Sequence, residues 1–199
     1  MPQPRRICSL LTFLLTTQLC AVPGRAQQAA DKLMDVESIQ VKGTRLPAQS
    51  IIRLTGIKPH DKVNNLIVNT ACQRITATGL VKNVDYGYDA YSDRPGVVLV
   101  LTITDEAPLL PATIKPDADS EKLWSALKAR DPIFTRDIPP TEQALDFYAG
   151  NIEKCLQSLG RNNEYAKADV VADPSGKLTT IVFSIRQYKA LARPNSATR

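Results

Sequence analysis

The apolar positions of this chain change their period twice in the same way. Over "HDKVNNLIVNTACQRITATG", residues 60–79, Val63, Ile67, Ala71, Ile75 and Thr78 recur at steps of four and three. That spacing predicts an amphipathic helix, and Gly79 stands where the left-handed residue past a helix end belongs. Directly afterwards Val84, Tyr86, Tyr88 and Ala90 alternate with Asp85, Gly87 and Asp89, the period of a half-exposed strand. The turn "YSDRPG" leads to "VVLVLTIT", residues 97–104, a more buried strand. Upstream, "VESIQVKG" (36–43) reads as a short strand stopped by Gly43. "AQSIIRLTG" reads as a helix with Pro47 in its first turn and Gly56 at its end.

The second half repeats this order. "ATIKP" (112–116) is a short strand, and Asp119 or Ser120 is placed to cap the helix "SEKLWSALKARD". "TEQALDFYAGNIEKCLQSLG" puts Leu145, Tyr148, Ile152, Cys155 and Leu159 on one face and stops at Gly160. "YAKADVVA", the turn "DPSG" and "KLTTIVFSIR" complete a hairpin. Aligning Gly79 with Gly160 sets Ile75 on Leu156. A period of about 80 residues is too long for a solenoid and fits two copies of one small domain. The expected class is α+β: two tandem β-α-α-β-β domains, each a three-stranded mixed sheet with two helices on one face. The expected boundaries are 36–106 and 107–186, after a linker at 27–35 and before a flexible tail at 187–199.

The first 26 residues stand apart from both copies. Arg5 and Arg6 precede the apolar run "ICSLLTFLLTTQL", and Gly24 and Ala26 hold the small-residue positions of a cut between Ala26 and Gln27. This is the build of a secretory signal peptide. The run is short for a membrane span; a retained anchor is the competing reading. The leader holds three arginines and no acid, so its removal takes the net charge from +5 to +2. Near balance, with Lys and Arg scattered, gives no electrostatic case for nucleic acid. Cys8 and Cys20 leave with the leader. Cys72 and Cys155 remain, one in each half, and read as buried thiols, although an oxidising compartment would permit a disulfide.

Three motifs carry a family resemblance. "IQVKG" (39–43) matches an opening I-x-V-x-G strand. "ITATGLVKNV" (75–84) matches a helix ending in L-x-x-x-G followed by F-x-x-V, with Ile75 for the leucine and Leu80 or Val81 for the aromatic. "VLVLTITDE" (98–106) matches the closing strand. In this the chain resembles the polypeptide-transport-associated (POTRA) domain of the outer-membrane protein assembly factor superfamily. The second copy keeps "LQSLG" (156–160) and the hairpin but has "RNNEY" after Gly160 and no clear I-x-V-x-G. Members of this superfamily usually carry a C-terminal membrane barrel. The 13 residues after Arg186 are too few for one, so two tandem copies without the barrel are expected.

The resemblance implies a non-enzymatic, protein-binding role in the periplasm, possible association with the outer membrane coming through a partner. The implied partners are outer-membrane barrel proteins, their unfolded precursors or assembly lipoproteins, with no cofactor, nucleic acid or small-molecule substrate. It also implies the mechanism, addition of an extended segment to an open sheet edge. The candidate edges are Asn83 to Ala90, including Asp85, Tyr86 and Tyr88, and Tyr165 to Ala172, including Lys167 and Val171. Against this stands an edge blunted by Asp85, Asp89 and Lys167 that only packs the two domains together. Tyr86, Tyr88 and Tyr91 fit a contact surface or, for the first two, the core face. Val98 and Val100 make their strand apolar on both sides, a patch expected to be covered by the second domain or a partner. The alternative function is a structural envelope or division-type protein on an uncleaved anchor, which finding Ile7 in the mature protein would favour. A hydrolase would need clustered ionisable groups, and His60, the one histidine, lies in a loop without them.

Overall fold

Residues 33–91 and 95–188 are described by a computed structural model. The leader with its Ala26–Gln27 cut, residues 27–32, the turn residues 92–94 and residues 189–199 lie outside the described residues. The order along the chain is β1 (Met34–Lys42), α1 (Ala48–Thr55), β2 (Lys62–Val63), α2 (Asn65–Thr76), β3 (Val81–Ala90) and β4 (Val97–Asp105). It continues with β5 (Leu110–Lys115), α3 (Asp117–Arg130), β6 (Asp137–Ile138), α4 (Glu142–Ser158), β7 (Glu164–Ala172) and β8 (Leu178–Gln187). The strands form two sheets, ordered β2-β1-β4-β3 and β6-β5-β8-β7. In each, the opening strand runs parallel to the closing one, which pairs antiparallel with its hairpin partner. The class is the α+β pair of tandem units that the periodicity predicts.

The sheets hold four strands, one more than expected. The extra strands β2 and β6 are two residues long and pair antiparallel with β1 and β5. Each contributes one buried side chain, Val63 and Ile138. A strand of two residues has no alternation to read, so the pattern assigned Val63 to a helix. The helix instead begins after Asn64, whose side-chain oxygen accepts the Ile67 N–H at 3.0 Å. This cap turns the buried row to Val68, Ala71, Cys72 and Ile75 and leaves Ile67 41% exposed, where the sequence placed it in the core. Similarly α3 starts at Asp117, ahead of the expected cap at Asp119 or Ser120, and Pro116 holds its N-cap position without a side-chain hydrogen bond.

The two cores are built differently. On β4 the helix-facing Leu99, Leu101 and Ile103 are buried while Thr102 and Thr104 on the other face are exposed. With Ile51, Val68 and Ile75 they form an aliphatic core. The second unit centres on Tyr148, which is 1% exposed. It stacks on Phe183 at 6.1 Å between ring centroids and meets Phe134 edge-on at 5.2 Å. Its hydroxyl accepts the Thr135 N–H at 3.0 Å, which satisfies the polar tip of a buried ring.

Gly43 ends β1 with φ 79°, and a Cβ there would lie 2.5 Å from the Ile103 carbonyl oxygen. Gly160 has φ 80° but open space around the same position. Both positions favour glycine for its left-handed freedom; only Gly43 also needs its smallness. Gly160→Ala is therefore expected to cost about 1–2 kcal/mol of stability, the left-handed penalty alone. Gly43→Ala is expected to cost about 3 kcal/mol or more, since backbone must also move. Urea unfolding of the two variants checks this; equal midpoint shifts would contradict it.

Candidate functional site: the outer sheet edges and the joint between units

β3 pairs on one side only, with β4, and so ends the first sheet. Every second backbone group along an edge strand points away from the sheet. The face turned from the helices carries Asn83, Asp85, Gly87 and Asp89, all exposed. Asn83 donates to the Asp85 carboxylate at 2.8 Å along this face. The other face carries Val84, buried, and Tyr86 and Tyr88, half-buried, with Ala90 exposed at the strand end. The two tyrosine rings meet edge-on at 5.7 Å. Tyr88 then reaches over to α2, its hydroxyl donating to Asn65 Oδ1 at 3.3 Å. Burial first, then the neighbouring Tyr86 and Cys72, pushes the Tyr88 phenol up to about 12.

Tyr91 follows one residue after β3 and lies on the opposite face from Tyr88. Its hydroxyl is 3.1 Å from Ser38 Oγ on β1. To get there the ring must cross β4, and the register puts Val98 between Asp89 of β3 and Ser38 of β1. Val98 is accordingly only 8% exposed, and Val100 is half-buried. Where the sequence pointed to the second domain or a partner as the cover of this patch, Val98 is covered from within its own unit. The three tyrosines do not share one surface.

β7 ends the second sheet and pairs only with β8. Lys167 Nζ lies 2.7 Å from Asp169 Oδ1, and Arg186 of β8 lies 3.8 Å from the other oxygen. The Lys167 hydrogen bond, helped by both cations, holds Asp169 below the usual carboxylate range. These charges neutralise one another over the outer face, beside half-buried Tyr165 and exposed Val171. Ala166, Ala168 and Val170 face the helices. Beyond β8, Tyr188 packs on Tyr165 at 4.7 Å between centroids, donates its N–H to the Asn163 carbonyl and its hydroxyl to Glu153 on α4. It is thus docked, although the pattern placed it in the tail.

The joint between the units was not legible in the sequence. Thr141 caps α4 by accepting the Ala144 N–H and donates its own hydroxyl to the Gly79 carbonyl at 3.1 Å. A Cβ on Gly79 would overlap the Ala144 nitrogen. On α1, fully buried Ser50 donates to Asp131 Oδ1, which Arg53 also reaches at 3.0 Å. Asp131 holds the loop after α3 by accepting the Ile133 N–H at 2.9 Å. Between these contacts lies a cleft of 230 Å³ lined by Arg45, Leu80, Pro132 and Tyr148 among others.

The remaining chemistry-bearing residues do not converge. His60 is 77% exposed in the loop before β2. Cys72 and Cys155 are free and buried, and burial pushes both thiols up. Among the described residues no three His, Cys, Asp or Glu side chains gather as a metal site, and no helix is long and apolar enough to cross a membrane.

No protein-family profile and no curated protein matches the chain. Among solved structures it is similar to the N-terminal domain of Omp85 from Thermosynechococcus elongatus, at 14% identity and TM-score 0.40. The match covers 78% of this chain and 63% of that one, so this chain spans less than two thirds of it. It is similar to POTRA1-2 of the periplasmic domain of Omp85 from Anabaena, at 11% identity and TM-score 0.37, covering 79% and 97% of the two chains. A third is Haemophilus influenzae BamA POTRA3-5, at 13% identity and TM-score 0.35, covering 79% and 68%.

The Tyr88 contact yields a pH prediction. Its folded value of about 12 stands above the ordinary 10.0, so the neutral ring stabilises the fold fully below pH 10.0 and ceases to as the pH rises through 12. An absorbance titration is expected to contain a phenolate step near 12 that Tyr88→Phe removes. An unchanged curve in that variant would refute the assignment.

Proposed function

We propose that this chain is a periplasmic protein-binding module of outer-membrane protein assembly or secretion, and that it binds extended segments of partners by adding them as strands to β3 or β7. The observation that carries the reading is that both edges end their sheets. β3 and β7 each have one strand neighbour and offer ten and nine residues of unpaired edge. Apart from the two-residue strands β2 and β6, both units also follow the strand-helix-helix-strand-strand order implied by "IQVKG", "ITATG" and "VLVLTITDE".

Two of the three charges that would blunt the edges are engaged along their own strands, and Asp89 stays exposed near the end of β3. Lys167 is engaged by Asp169 on its own strand, and Asp85 by Asn83. Neither interaction uses the outward backbone groups. Backbone pairing carries little sequence information, which suits a module meeting many unfolded barrel precursors; side chains alongside the edge then tune the choice.

The test is hydrogen exchange on the full chain. An unfolded outer-membrane barrel protein, diluted from urea, is expected to slow amide exchange within Asn83–Ala90 or Tyr165–Ala172. The same barrel protein, folded in detergent, is expected to leave both unchanged. Protection confined to other elements, or none with the unfolded form, would overturn strand addition.

A further inference from the structure

Two edges of the same fold differ by what the inner face of the sheet offers beside them. The register makes the comparison residue by residue. In the first unit Tyr86 and Tyr88 lie opposite Leu101 and Leu99, which pair on their other side with Val41 and Ile39. In the second, Ala168 and Val170 lie opposite Phe183 and Ile181, which pair with Ile114 and Ala112. Counted back from the ends of the closing strands, Asp105 and Gln187, Phe183 corresponds to Leu101, which sets Ala168 where the first unit has Tyr86 and Val170 where it has Tyr88.

The consequence is space. In the first unit the rings occupy the gap between β3 and α2, and the Tyr88 hydroxyl ends on Asn65. In the second, a groove of 480 Å³ lies open between β7 and α4. Ala149, Ala166 and Ala168 line it with Leu145, and Glu142 and Asp146 stand along its helix side. Counting back from Ile75 and Leu156, Asp146 occupies the position of Asn65. The first unit thus meets this position with its own tyrosine, while the second presents a carboxylate there.

Glu142 and Asp146 are both exposed, one helical turn apart, with no ion pair or hydrogen-bond partner among the described residues. Like charges at this spacing repel along a helix, and a cation between them relieves that. Lys167, which also lines the groove, has its ammonium on Asp169 at 2.7 Å. The groove combines an alanine floor with an acidic wall, the complement of a long aliphatic stem with a cationic head.

We propose that the groove between β7 and α4 is the specificity pocket of the second unit, and that it selects extended segments carrying Arg or Lys at an inward-pointing position. The stem lies over Ala149, Ala166 and Ala168 and the head between Glu142 and Asp146. The β3 edge, its gap filled by Tyr86 and Tyr88, offers backbone pairing without such a pocket. This rests on the strand-addition reading and names what its second edge prefers.

The probes are capped nine-residue peptides alternating threonine and valine, with arginine or glutamate at the central position, titrated into the full chain by NMR. The arginine peptide is expected to bind about fivefold more tightly than the glutamate peptide, with shifts at β7 amides, as for an exposed charge interaction. Added salt is expected to shrink the difference. Glu142→Gln with Asp146→Asn, and separately Val170→Tyr, which installs the ring of the first unit, are each expected to abolish it. Equal binding of both peptides at β7, or a preference that survives both variants, overturns the pocket and leaves strand addition standing. No perturbation of either edge by any peptide removes both readings.

Discussion

The fold is organised around one backbone carbonyl, that of Gly79. The left-handed conformation of this residue, φ 67°, lets α2 stop and β3 begin within a few residues. Leu80 and Val81 then enter the core at once. The same carbonyl receives the Thr141 hydroxyl, and the missing side chain lets the start of α4 approach to van der Waals distance of the main chain. A single residue thus sets the helix-to-strand turn of one unit and the seat of the next. Ser50, Arg53 and Asp131 make a second point of contact between the units.

The units solve one packing problem with different side chains. In the first, aliphatic residues fill the centre and the aromatic rings sit at the margin, on β3. In the second, Tyr148, Phe183 and Phe134 hold the centre and alanines line the margin, on β7. Large side chains in the middle leave small ones sufficient at the edge, and the reverse. The distribution of aromatic volume between centre and margin is therefore what distinguishes two edges that share a backbone.

The periods of the sequence were enough to read the repeat and the α+β class, because both the 3.6-residue and the two-residue rhythms are long and meet at Gly79 and Gly160. β2 and β6 escaped, since two residues carry no rhythm. Ile67 was misplaced for the same reason: β2 took Val63, and the Asn64 cap rotated the helix face by one position. The cover on Val98 was missed because Tyr91 acts through a contact 53 residues away in sequence. The joint was invisible on principle. Thr141 is recognisable as a helix cap, but nothing in a one-dimensional pattern says whose carbonyl its second hydrogen bond will meet.

The seat at Gly79 is heterologous: one unit gives a turn, the other the start of a helix, and the two surfaces are not alike. Such a contact has a sense of direction, unlike a symmetric pairing in which each surface satisfies itself. In the second unit the corresponding turn, at Gly160, meets open space. A tandem built by this rule has distinguishable ends, as a row of interlocking tiles has, and its two sheets are related by succession instead of by symmetry.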